Sequence, residues 1–106
     1  MYQNLVVLAI PRFKPGVPFT LGVASLDKSK YSVPLIRPFN GIDQRVGNCS
    51  GLQNVVDIAL DSENILWVLD IGVVNTFESA TRKCSPKIVA FYLNTSGKVC
   101  KDFSQY

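Results

Sequence analysis

The chain has 106 residues, 47% hydrophobic and 18% charged, which excludes a disordered tail or a polar linker and leaves room for one modest core. Its net charge of +3 comes from scattered Lys and Arg. The one close group, Arg82-Lys83 with Lys87, reads as a solvated loop, so nucleic acid is excluded as a partner. No apolar run approaches the roughly 18 residues that cross a bilayer, so no membrane span is expected.

The elements read as β throughout. Leu5–Ile10 is short, rich in β-branched residues and stopped by Pro11. Phe13 to Pro18 carries Pro15, Gly16 and Pro18 and marks a turn. Phe19 to Leu26 resumes strand character and ends in Asp27-Lys28-Ser29-Lys30. From Ser32 to Gly51, Pro34, Pro38, Gly41, Gly47 and Gly51 predict a long irregular connection. Val55 to Leu60 and Ile65 to Leu69 then form a hairpin around the turn Asp61-Ser62-Glu63-Asn64. Ile71 to Pro86 reads as a loop, Lys87 to Leu93 as a third strand, Asn94 to Gly97 as a turn, and Lys98 to about Asp102 as the start of a fourth strand.

Side-chain parity decides how such a meander must pack. A sheet with one wet face alternates apolar and polar residues. Here Ile65, Trp67 and Leu69 share one side, Leu66 and Val68 the other, and Ile88 to Leu93 repeat the pattern. Both faces therefore demand cover. With no amphipathic helix to supply it, other sheets must, as in stacked propeller blades of about 40–50 residues each. On that scale the chain is about two blades, too few to close a propeller, so the reading is a fragment: residues 1–47 part of one blade and its connection, residues 48–106 about one blade.

The sequence has no histidine, which removes Ser-His-Asp and Cys-His catalysis and the commonest metal ligand. No catalytic residue, metal ligand or cofactor motif is identified. Its three cysteines, Cys49, Cys84 and Cys100, lack metal-ligand spacing. The tripeptides Asn48-Cys49-Ser50 and Asn94-Thr95-Ser96 make Asn48 and Asn94 glycosylation candidates, and with the cysteines they favour export. Leu5–Ile10 is too short for a signal-peptide core, so any export signal is expected outside this chain.

Four ordered blocks carry a family resemblance. Pro11-Arg12-Phe13-Lys14-Pro15-Gly16-Val17-Pro18-Phe19-Thr20-Leu21 resembles the PR-x-x-x-GVP-x-TL segment of the insect Yellow/major royal jelly family. Asn48-Cys49-Ser50, then Val56-Asp57-Ile58 and Asp61 with Leu66-Trp67-Val68-Leu69-Asp70-Ile71-Gly72, and finally Cys84-Ser85-Pro86-Lys87 come in the family's order. Phe19-Thr20-Leu21-Gly22, Leu52 to Ile58 and Gly72 to Thr76 look most like the Yellow-g branch, associated with eggshell formation. Two departures stand out: Ser62-Glu63-Asn64 replaces a turn that often holds a cysteine, and Arg37-Pro38-Phe39-Asn40-Gly41 replaces an aromatic-rich segment.

The resemblance implies a secreted six-bladed β-propeller. It implies three functions: a non-catalytic protein of extracellular matrix such as eggshell or cuticle, with matrix proteins as partners; a dopachrome-converting enzyme; or a carrier of a small amine or catechol ligand. In the meander, the residues before the first and third strands lie at one end, which brings Cys49 and Cys84 within reach of a disulfide. Closing that loop of about 36 residues would stabilise by roughly 4 kcal/mol. The alternative is two separate thiols or partners elsewhere, and Cys100 reads as a small core residue or the mate of a segment outside the chain. Asp61 is expected to cap its turn and Asp70 to satisfy loop amides. Asp57, polar within an apolar strand, is a candidate channel-lining residue, and Asn75 a candidate ligand contact from its loop. Trp67 is expected to pack between blades.

Overall fold

A computed structural model describes residues 5–25, 35–93 and 99–105. Among the described residues, nine strands make up the fold and no helix occurs. The architecture is all-β, as the sequence predicts.

The first sheet is antiparallel and has three strands, adjacent in chain order: β1 (Leu5–Ala9), β2 (Leu21–Ser25) and β3 (Ile36–Pro38). Its register runs from Leu5 opposite Ser25 to Ala9 opposite Leu21, and Gly22 faces Pro38. β3 falls within the stretch expected to be wholly irregular. Its three residues are too few to show alternation, and Pro38 is tolerated because β3 is an edge strand.

The second sheet is a four-stranded meander that takes β4 (Val55–Leu60), β5 (Ile65–Asp70), β8 (Lys87–Leu93) and β9 (Val99–Gln105) in that order. β9 contains Cys100 and continues to Gln105 from the stretch read as its start. A bulge between Val55 and Asp57 shifts the pairing, so Val55 opposes Asp70 and Asp57 opposes Leu69. Between β5 and β8, the segment expected to be a plain loop forms a small hairpin of β6 (Val73–Val74) and β7 (Thr81–Arg82). Two-residue strands carry no periodic signal.

The two sheets meet over one core. Leu21, Leu52, Val55, Val68, Val89 and Phe91 are fully buried, and Leu66, Phe39 and Leu93 nearly so. Val7, Ala9, Ile42 and Ile58 pack against them from the rims. Phe39 meets Phe91 edge-on, with ring centroids 5.0 Å apart. This face-to-face stacking of antiparallel sheets is that of a partial propeller.

One expectation is only half met. The face of the meander carrying Leu66, Val68, Val89 and Phe91 is covered, but the opposite face is open at Leu69, 38% exposed, and Ile88, 43% exposed, and closed only around Ala90, opposite Trp67. Trp67, on that open face by register, is half-buried and donates its indole N–H to Asp61 Oδ2 at 3.0 Å. The described residues supply a second sheet on one side only.

Candidate functional site

Polar chemistry concentrates where the two sheets join, in a buried knot formed by Arg12, Gln44, Gln53, Asn54 and Asp70. Arg12 follows Pro11 just past β1 and is 3% exposed. A buried guanidinium must find acceptors for five N–H groups. Here Nε donates to Val17 O at 3.1 Å, Nη1 to Gln53 O at 2.9 Å and Leu52 O at 3.5 Å, and Nη2 to Pro18 O at 3.1 Å and Gln44 O at 2.8 Å. The turn Phe13–Pro18 is thereby folded back onto its own arginine and tied to two later segments. Burial pushes the Arg12 guanidinium down from its ordinary value, and the charge of Asp70 pulls it back up.

Asp70 does the converse. It is fully buried at the end of β5, where Oδ2 accepts from Gln53 N and Oδ1 from Asn54 N and Gly72 N, each at 2.9 Å. Lys87 Nζ lies 3.4 Å from Oδ2 and donates to Cys49 O and Gly51 O. The segment 52–54 is thus gripped from both sides: its carbonyls by Arg12 and its amides by Asp70. A carboxylate accepting several N–H groups is the arrangement that repays burying its charge.

The amide side chains complete the knot. Asn54 Oδ1 accepts from Arg12 N at 2.7 Å, and its Nδ2 donates to Val73 O at 2.8 Å. Gln44 Oε1 accepts from Thr20 N and Leu21 N, while its Nε2 donates to Leu21 O and Phe39 O. Gln53 Oε1 accepts from Gly47 N, and its Nε2 donates to Arg45 O and Asn48 O. Thr20 Oγ1 donates to Ile10 O and accepts from Val55 N, linking β2 to β4. Gly72, at φ +73° with its Cα turned toward the backbone carbonyl of Cys84, leaves no room for a Cβ there.

The residues singled out from the sequence lie at separate places. Asp57 is exposed beside the β4 bulge, and its Oδ1 accepts from Ile58 N at 2.9 Å. Asn75 has φ 58°, donates its N–H to Arg12 O at 2.8 Å and accepts at its own carbonyl from Glu78 N and Ser79 N, so it opens a turn. The next residues stack Phe77 on Phe13 with ring centroids 4.5 Å apart. No hydrogen bond joins Asp57 to Asn75. Cys49 and Cys84 form a disulfide with Cα atoms 5.5 Å apart. It borders an open depression with Arg82, Lys83, Ser85, Pro86 and Lys87. Arg82 and Lys83 are solvated, while Lys87 turns inward. Asn48 sits in the turn before β4, and Asn94 lies outside the described residues.

Asp61 caps its turn: Oδ1 accepts from Glu63 N and Ile65 N, and Oδ2 from the Trp67 indole. The indole bond first, and the backbone amides after it, hold this carboxyl below its usual range. Arg12, Gln44, Gln53 and Asn54 were not identified from sequence as a site. A polar Gln53-Asn54 pair between Leu52 and Val55 was the available signal, because buried amides need partners. Among the described residues, no three of His, Cys, Asp and Glu gather as a metal site.

Comparison with known proteins gives one consistent answer. A family model described as major royal jelly protein matches residues 53–104. Major royal jelly protein 6 of Apis mellifera is 38% identical over 96 residues, covering 90% of this chain and 21% of its own length. Dopaminechrome tautomerase of Drosophila melanogaster is 33% identical over 100 residues, 90% of this chain and 21% of its own. Protein yellow of Drosophila melanogaster is 27% identical over 100 residues, 92% of this chain and 18% of its own. The chain therefore spans about a fifth of the length of these relatives.

Proposed function

This chain belongs to the Yellow/major royal jelly protein family, and we propose that it is a two-blade section of a secreted six-bladed propeller that serves insect extracellular matrix, such as eggshell or cuticle, without catalysing a reaction itself. Residues 1–47 supply part of one blade and its connection, and residues 48–106 about one blade. The observation that carries the reading is the polar knot. Arg12, Gln53, Asn54 and Asp70 are buried and bonded mostly to main-chain groups, which commits them to joining the sheets rather than to moving protons. The Cys49–Cys84 disulfide supports an oxidising, extracellular setting.

A second reading, conversion of dopachrome-type substrates, is favoured by the 33% identity to dopaminechrome tautomerase. Its reactive groups would then come from outside these residues. The two readings separate in one assay. The full-length gene product, recovered from the medium of insect cells, is mixed with dopaminechrome and its absorbance is followed. No turnover above a heat-inactivated control is expected; clear turnover would sink the matrix reading and establish the second.

A further inference from the structure

We infer that Asn48 is an N-glycosylation acceptor, modified while the chain is still extended and before the disulfide beside it closes. The inference rests on the proposal that the protein is secreted. The sequon Asn48-Cys49-Ser50 alone would be weak support. The structure adds three observations.

The first is placement. Asn48 lies in the turn before β4, where its N–H donates to Arg45 O at 3.2 Å and its carbonyl accepts from Gly51 N at 3.0 Å. Arg45, Val46, Gly47, Cys49 and Ser50 around it are exposed, and Asn48 itself is half-buried. It belongs neither to the core between the sheets nor to the open face of the meander. A glycan here leaves both packing surfaces clear.

The second is that the fold tolerates the modified amide. Asn48 Oδ1 accepts from Ser50 N at 3.1 Å. In the transfer, a bond forms between Asn48 Nδ2 and C1 of the first sugar of a lipid-pyrophosphate-linked oligosaccharide. The C1–O bond to the pyrophosphate breaks, its electrons leave with the lipid pyrophosphate, and one amide proton is lost to base. Nδ2 carries two hydrogens, so one N–H remains, and the Oδ1 that accepts from Ser50 N is untouched.

The third is order. The middle residue of the sequon is itself half of the Cys49–Cys84 disulfide, and Lys87 Nζ holds Cys49 O at 3.1 Å. Once closed, that bridge pins the turn on which the transferase would have to work. Cys84 follows Cys49 by 35 residues, so Asn48 enters the secretory lumen well before the bridge can form. Transfer to an unpinned chain is therefore the accessible sequence of events.

The test uses the full-length gene product made in insect cells, with Asn94→Gln to silence the other sequon of this chain. Peptide N-glycosidase A in heavy-oxygen water should convert Asn48 to labelled Asp in most molecules from the medium. Asn48→Gln and Ser50→Ala should each remove one glycan's gel shift. Cys84→Ser, read in newly made intracellular protein so that folding is not required, should leave Asn48 occupancy unchanged within about twofold. Unmodified Asn48 in secreted protein overturns the site, and occupancy that appears only with Cys84→Ser overturns the order. A product that never enters the lumen overturns the secretion reading, and the site with it.

Discussion

On one face of the β4-β5-β8-β9 sheet, Val68, Val89 and Phe91 are fully buried; on the other, their strand neighbours Leu69 and Ile88 are 38% and 43% exposed. The residue types are alike and the surroundings are opposite. The covered face looks onto β1 and β2 and is fixed by the Arg12–Asp70 knot at its end, while the open face carries no comparable polar fastening among the described residues. The described residues supply one neighbouring sheet, and on the proposed reading a further blade covers the other side. Apolar patterning thus states how much cover a sheet requires, and the polar knot shows which side has already received it.

Removing Asp70 should break the fastened side most severely. In the full-length protein, Asp70→Ala strands the amides of Gln53, Asn54 and Gly72 and takes the counter-charge from Arg12 and Lys87. A loss of about 3–5 kcal/mol is expected by chemical denaturation, the cost of leaving buried charge uncompensated. Replacing both Cys49 and Cys84 by Ser frees the loop they close and should cost roughly 4 kcal/mol, measured the same way against the reduced and oxidised wild type.

The two faces are compared directly by a pair of changes on β5. Leu66→Ala on the covered face should cost about 2–5 kcal/mol. Leu69→Lys should cost more than about 2 kcal/mol in the full-length protein if another sheet covers it, because a buried unpaired ammonium is expensive. A change within about 0.5 kcal/mol, as for a true surface position, would break the propeller reading of this face.

The smallest effect lies at the solvated turns. Asp61 titrates lower folded than unfolded, so its contribution is complete above the ordinary value of 3.8 and drains away as pH falls through its folded value. Asp43, held at about 2 chiefly by its hydrogen bond from the Arg45 side chain, behaves alike between 3.8 and about 2. Asp61→Asn should therefore reduce the acid sensitivity of Trp67 fluorescence below pH 4, and should lower neutral stability slightly by the contribution that the ionised carboxylate makes there.

Much of the fold is legible in residue order. The hairpin of β4 and β5 around Asp61 to Asn64, and strand β8, follow from short β-branched runs separated by turn residues. The roles of Asp61 and Asp70 were equally readable, since each stands where the end of a strand exposes amides. β3, β6 and β7 were not, because two or three residues hold no period. The hub at Arg12 was hidden for a different reason: its bonds reach Leu52, Gln53 and Asn54 across 40 to 42 residues, and no local pattern encodes such a pairing.

Sequence by itself determined the strand content, the lack of imidazole chemistry and the need for apolar cover on both sides of the meander, because these depend on residue type and spacing along the chain. Only tertiary structure decided which face is covered, that Cys49 meets Cys84, and that one arginine and one aspartate clasp the same segment from opposite edges. Those outcomes depend on which distant groups arrive together, and burial then fixes them, since a polar atom withdrawn from water must keep the partner it finds.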